Sequence, residues 1–299
     1  MKAAAREETA VVTGGLRGLG RAMALGLLHD GYRVAAVGHI ETDLAKMTLE
    51  ATEAGFADAF LPMLADLRKP EQCDRVVRET LARFGRVDIL VYNAGLTFTY
   101  IWPDLGRRAS PPKSWEACDE VVQAVMDTNY VAADQMTRRL LPLMIERGWG
   151  RIVNVTTKLD TMNKPGSSAY GPSKAALEMA TQVLAKELAG TGVTINVLNP
   201  GAGANTEGIA AEIREASRAG RIAPLVEPEQ MVSPLLWLVS RAADTTNGRR
   251  FDANMWDCDL ASDIGAGRPA GFELRRDDAD PADGGQFVRS GTSAKETTS

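Results

Sequence analysis

Histidine is nearly absent, with only His29 and His39 in 299 residues. Ser-His-Asp triads and His-rich zinc sites both depend on imidazole, so neither chemistry fits and no metal site is expected. Cysteine is also scarce. Cys73, Cys118 and Cys258 are odd in number and widely spaced, which suits neither a disulfide framework nor a CxxC metal site and points to a reducing compartment. No apolar run approaches the roughly 18 residues a bilayer-spanning helix needs, and residues 1–8 are too short and polar for a signal peptide. A cytoplasmic protein is expected. Basic runs are missing too, and the formal charge is -5. Nucleic acid and anionic membrane are therefore poor partners, and a small molecule is the better one.

What is present organises one large domain. A hydrophobic content of 44% over this length suffices for a single core across residues 1–257, and no linker interrupts it. From 258 to 299 the composition turns to Gly, Ala, Asp, Arg, Ser and Thr, which predicts an extension partly disordered or packed on a neighbouring subunit. Short apolar runs at 9–13, 33–38, 59–64, 88–92, 150–157, 194–198 and 249–253 read as seven strands. Pro62 cannot donate to a ladder and assigns the third strand to an edge. Helical patterns cover 21–29, 42–54, 71–84, most of 115–146, 170–189 and 228–240. Residues 96–114, rich in aromatics and proline, read as a loop able to wall an apolar pocket, and 202–223 as a small, polar, mobile stretch. This alternation specifies an α/β doubly wound parallel sheet of the Rossmann type with helices on both faces.

Three stretches carry chemistry. Strand 9–13 runs into Gly14-Gly15-Leu16-Arg17-Gly18-Leu19-Gly20 and then a helix, the setting in which small residues let backbone approach a pyrophosphate at a helix N-terminus. Strand 33–38 ends at Gly38 where an acidic residue would bind the ribose 2'-OH of NAD. With His39 next and Arg17 nearby, a 2'-phosphate, hence NADP, is the better fit. Tyr170 and Lys174 lie four residues apart at the head of a helix, so both side chains share one face and the ammonium favours the phenolate. Asn129 falls mid-helix, and Thr156 and Thr157 put two hydroxyls at the end of the fifth strand.

In order along residues 9–257, Thr13-Gly14-Gly15-Leu16-Arg17-Gly18-Leu19-Gly20, Asp66, Asn93-Ala94-Gly95, Asn129, Tyr170-x-x-x-Lys174 and Pro200-Gly201 resemble the single-domain short-chain dehydrogenase/reductases. The resemblance implies an NADP(H)-dependent oxidoreductase interconverting a ketone or aldehyde and an alcohol, assembled as a homodimer or homotetramer. NAD(H)-dependent alcohol dehydrogenase and non-catalytic nucleotide binding are the alternatives. It makes Tyr170 the general acid/base, has Lys174 lower its pKa and hold the nicotinamide ribose, and has Asn129 anchor a water. Gly14, Arg17, Gly18, Leu19 and Gly20 would face the phosphates with His39. Asp66 and Leu67 would meet the adenine, Asn93, Ala94 and Gly95 the adenosine side, and Pro200 and Gly201 the nicotinamide. Three departures stand out. Thr157 replaces the usual serine thirteen residues before the tyrosine. Ala202-Gly203-Ala204-Asn205-Thr206 replaces a branched residue followed by threonine, and residues 251–257 replace a glycine-rich ending. Small and apolar residues at Ala176, Leu177, Ala180, Val183, Leu184 and Leu188 suggest a helix face for self-association.

Overall fold

The structure, a computed structural model, describes residues 5–257; the proposed extension at 258–299 lies outside the described residues. Seven strands form one parallel sheet: β1 (Thr9–Thr13), β2 (Arg33–Gly38), β3 (Phe60–Leu64), β4 (Ile89–Tyr92), β5 (Gly150–Val155), β6 (Val193–Asn199) and β7 (Arg250–Asp252). Their spatial order is β3-β2-β1-β4-β5-β6-β7. The order runs outward one way from β1 through β2 to β3 and the other way from β4. The loops after β1 and β4 therefore diverge and open a crevice at the carboxyl rim, where ligands bind in such sheets. Pro62 sits on edge strand β3, which pairs only with β2.

The helices are α1 (Gly18–His29), α2 (Glu41–Glu53), α3 (Pro70–Phe84), α4 (Phe98–Ile101), α5 (Asp119–Met126), α6 (Ala132–Glu146), α7 (Leu159–Met162), α8 (Tyr170–Glu187), α9 (Ala211–Arg218) and α10 (Val232–Leu238). Strand side chains alternate between two cores, as the pleat requires. Ala10, Val12, Val34 and Ala36 point to the layer formed by α1, α2 and α10. Val11, Ala35 and Val37 point to the layer formed by α3, α6 and α8. Burial on both faces explains why these strands are continuous apolar runs rather than alternating ones.

Several sequence expectations change. The stretch at 96–114 is not all loop: α4 forms because Ile101 and Trp102 bury against Val125 and Tyr170. A single 3-10 turn at Ser114–Glu116, with Trp115 82% exposed, precedes the α-helix, which begins at Asp119. The polar stretch at 202–223 contains α9 and is tied back by a bridge between Ala204 and Val226. The suggested self-association face is not one surface. Leu177 and Leu188 are core residues beside Val193 and Ile195, whereas the exposed apolar groups of α8 are Met179 and Val183. Helical spacing alone could not separate these two sides of an alanine-rich helix.

Candidate active site

The glycine turn is built by close approach. A Cβ on Gly20 would lie 2.1 Å from the Gly14 carbonyl oxygen, and Gly14 itself has φ +61°. Only hydrogen side chains let the chain fold this tightly into α1. Asn93, just beyond β4, donates from Nδ2 to the carbonyls of Thr13 and Gly14, both at 3.1 Å. The Thr13 hydroxyl in turn accepts from the Asn93 and Ala94 amides at 3.0 and 3.1 Å. These bonds stitch together the two loops that diverge at the crevice. No side chain caps the N-terminus of α1, so its first amides remain available to an anion.

A cleft of about 800 Å³ runs from this turn along the rim. It is lined by Gly14, Arg17, Gly18, Leu19, His39, Asp66, Leu67, Asn93, Ala94, Gly95, Tyr170 and Lys174 among the residues expected from sequence. Gly20, Asn129, Thr157, Pro200 and Gly201 do not line it. Gly20 is packed under the turn, Asn129 is fully buried, and Thr157 is buried behind the cleft wall, where it acts on the Tyr170 phenol. Gly201 lies beneath Asn254, whose Oδ1 occupies the place a Cβ would take.

At one end of the cleft, the absence of an acid after β2 has a steric side. A Cβ on Gly38 would meet Leu16 Cδ1 at 2.6 Å. Arg17 faces this end and pairs with Asp43 on the first turn of α2, Nε to Oδ2 3.7 Å. Sequence reading leaves Arg17 unopposed and misses Asp43, which nothing in a local pattern marks. Asp66 is gripped by Arg68 through two side-chain bonds of 2.8 Å, and these hold its carboxyl below the usual range.

At the other end, Tyr170 opens α8 directly after Ala169, whose φ of +64° is the one positive value at a non-glycine among the described residues. A side chain in that region is strained, and such strain is kept where surrounding structure over-determines it. Phe98 packs on the Tyr170 ring with centroids 4.7 Å apart. Burial pushes the Tyr170 phenol up to about 12, opposed by the hydrogen bond with Thr157. Lys174, 4% exposed, donates to the Val155 carbonyl at 2.9 Å. Burial pulls its ammonium down to about 8, and the Glu178 carboxylate one turn further along acts against that fall.

Asn129 interrupts a helix for a structural reason. Residues Asp127–Val131 form a π-helical turn between α5 and α6, a device that frees backbone groups and is frequent at functional sites. The Tyr92 hydroxyl donates to the Thr128 carbonyl at 2.5 Å. Asn129 accepts from the Leu96 amide at 2.7 Å and donates to the Leu96 carbonyl at 3.1 Å and the Ser173 hydroxyl at 2.9 Å. Both its N–H groups are engaged, which leaves one acceptor position on Oδ1, near Lys174 and Gly95.

The sequence profile of the short chain dehydrogenase family matches residues 8–217. The chain belongs to this family. Other short-chain dehydrogenases similar to it include the 3-oxoacyl-[acyl-carrier-protein] reductase of Synechocystis sp., 29% identical over 254 residues that cover 83% of this chain and 95% of that one. The acetoacetyl-CoA reductase of Cupriavidus necator is 29% identical over 257 residues, covering 83% and 97%. Among solved structures, a single-residue variant of actinorhodin polyketide ketoreductase with NADPH superposes with a TM-score of 0.71 at 26% identity, covering 83% and 97%. The short-chain dehydrogenase fold also brings to the cleft residues that the motifs did not mark: Asp43, Arg68, Thr128, Thr156 and Thr206. Thr206 stands 3.3 Å from the place of a Gly18 Cβ, and Thr97 donates to the Gly208 carbonyl at 2.9 Å. The loop after β6 thus closes over the glycine turn. The only local signal for Thr206 was a threonine a few residues after Pro200-Gly201. The aromatic residues divide as well: Phe98 reaches Tyr170, whereas Trp102 and Trp256 serve packing, against Gly166 and Ile101 and against Trp237.

Proposed function

We propose that this oxidoreductase is NADP(H)-dependent and interconverts a ketone or aldehyde and an alcohol, with Tyr170 as general acid/base. The observation that carries the proposal is the cleft itself: an uncapped helix N-terminus and glycine turn at one end, and a buried phenol beside Thr157 and Lys174 at the other. A dinucleotide fits these residues. The glycine turn would hold its diphosphate, Arg17 and His39 the 2'-phosphate, Asp66 and Leu67 the adenine, and Gly95 the adenosine side. Lys174 would hold the nicotinamide ribose, and Thr206, over Gly18, would close on the diphosphate; Pro200 and Gly201, expected at the nicotinamide, lie behind the cleft wall and would act only through the course of the loop. When bound, the nicotinamide supplies or accepts the hydride.

The chain handles the proton. Tyr170 Oη gives its hydrogen to the carbonyl oxygen in reduction and takes the hydroxyl hydrogen in oxidation. Burial raises the phenol and lowers the Lys174 ammonium, so Tyr170 holds at neutral pH the proton that a donor needs. Thr157 aligns the carbonyl oxygen beside the phenol. The free acceptor position of Asn129 suits a water that returns protons toward Lys174. The cytoplasmic location and a homodimer or homotetramer belong to the same proposal. They are supported by the sparse cysteines and by the exposed Met179 and Val183 on α8.

The test is a panel of ketones, 3-oxoacyl thioesters and sugars run with NADPH and with NADH, following nicotinamide absorbance. NADPH should bind more tightly than NADH. Arg17→Ala should weaken NADPH about tenfold, the lower end for a charge-assisted hydrogen bond, and leave NADH within twofold. Asp43→Asn should tighten NADPH, because it frees Arg17. Tighter NADH binding by the wild type would end the cofactor assignment. Gly38→Asp is a poor probe of it, since the new side chain meets Leu16.

Thr157→Val keeps the shape and removes the hydroxyl. Turnover should fall at least tenfold, about 1.4 kcal/mol of barrier, while Thr157→Ser stays active. A valine variant within twofold of wild type would remove Thr157 from the mechanism.

A further inference from the structure

Val155, which ends β5, and Thr156 and Thr157 just beyond it are each gripped by a different charged group. Lys174 holds the Val155 carbonyl at 2.9 Å, Glu178 accepts from the Thr156 hydroxyl at 2.6 Å, and Arg250 of β7 donates to the Thr157 carbonyl at 2.8 Å. Arg250 and Glu178 also pair directly, with side chains only 7% and 13% exposed. Tyr170, Lys174 and Glu178 recur every four residues along α8, so all three share one face. Neither Arg250 nor Glu178 belongs to the motifs that mark the site.

We infer that Arg250 and Glu178 are positioning residues: Arg250 fixes the main chain that carries the Thr157 hydroxyl, and Glu178 ties Arg250 and the Thr156 hydroxyl to the face of α8 that carries Tyr170 and Lys174. The inference rests on the roles proposed above for Tyr170, Thr157 and Lys174. The groups facing this corner are Tyr170, Lys174 and Glu178 from α8, and Arg250 and Asp252 from β7. Arg250 lies 3.6 Å from Asp252, and Lys158 feels the Asp252 charge. The Asn129 amide and the Val155 carbonyl add dipoles but no charge. Removing Arg250 leaves the Glu178 carboxylate without its counter-charge in a largely buried place, removing Glu178 leaves Arg250 with Asp252 alone, and Lys174 is the titrating neighbour that registers either change.

The experiment is a pH titration by NMR of the full-length protein carrying [13Cε]lysine, with the Lys174 signal identified by its loss in Lys174→Ala. Glu178→Gln should move the half-ionisation of Lys174 to lower pH by at least about half a unit, roughly threefold in proton concentration. Arg250→Met should move it to higher pH by a similar amount, and Arg250→Lys should stay at the wild-type value. Opposite shifts are not what general loosening of the fold produces. Movement in only one variant, or in the same direction in both, overturns the inference. In parallel, acetoacetyl-CoA with NADPH serves as the kinetic probe. Arg250→Met should lower kcat about tenfold or more with the KM for NADPH within threefold, and Arg250→Lys should recover most of kcat. The lysine titration needs no turnover. A wild type inactive on every ketone therefore defeats the reductase proposal without touching the titration, whereas an active wild type whose Arg250→Met variant keeps kcat within twofold overturns the positioning of Thr157 by Arg250.

Discussion

Tyr170→Phe is expected to lower kcat by about 10²–10⁴-fold, the range of a positioned general acid or base, while NADPH still binds within about twofold of wild type. The substitution removes one oxygen from a ring already packed between Phe98 and the Ile101, Trp102 and Val125 cluster. The ring therefore keeps its place and only the proton is lost. Binding can be followed by nicotinamide fluorescence and turnover by absorbance in the same samples. Turnover within tenfold of wild type would show that the proton reaches the carbonyl from another group.

Lys174→Met should abolish most turnover, by about 10²-fold or more, and yet make the protein more resistant to heat at neutral pH. A free lysine titrates near ~10.4, whereas burial holds Lys174 at about 8. Its folded pKa is depressed, so below about pH 8 both folded and unfolded chains carry the proton and the folded one bears the full desolvation cost. Between the two values the unfolded chain binds more protons, stability rises with pH, and the cost is gone above the unfolded value. That cost is on the order of 3 kcal/mol at neutral pH. The lost bond to the Val155 carbonyl returns about 1 kcal/mol of it. A Tm gain of several degrees at pH 7 should therefore shrink as the pH approaches 10. A gain equally large at both pH values would mean that the ammonium is not the source of the strain. The proposed mechanism accounts for a costly buried cation: it sits one turn from the phenol assigned there to move the proton.

Much of this site was legible because its parts are local. A glycine turn between a strand and a helix, and a tyrosine and lysine four residues apart, are set by backbone geometry within a few residues. Pro62 fixed an edge in the same local way, through its missing N–H. Asn129 shows the limit: it was visible as an odd residue in a helix, but the π-helical turn and its grip on Leu96 and Ser173 involve chain 33 and 44 residues away.

The sequence by itself determined the alternation of strands and helices, the parallel sheet and the crevice at its rim, and it marked most of the residues proposed above for proton and phosphate chemistry. Each follows from hydrophobic periodicity or from the geometry of a short segment. Only the tertiary structure decided that Asp43 opposes Arg17, that Leu16 lies on Gly38, that Thr206 closes over Gly18, and that Arg250 reaches back from β7 to Thr157 and Glu178. These pairs are 26, 22, 188, 93 and 72 residues apart in sequence, and no local propensity encodes them. They exist because the parallel sheet brings distant strand ends to one rim, where close packing sets the glycine contacts and, at Arg250 and Glu178, burial makes an unpaired charge costly enough to require a partner.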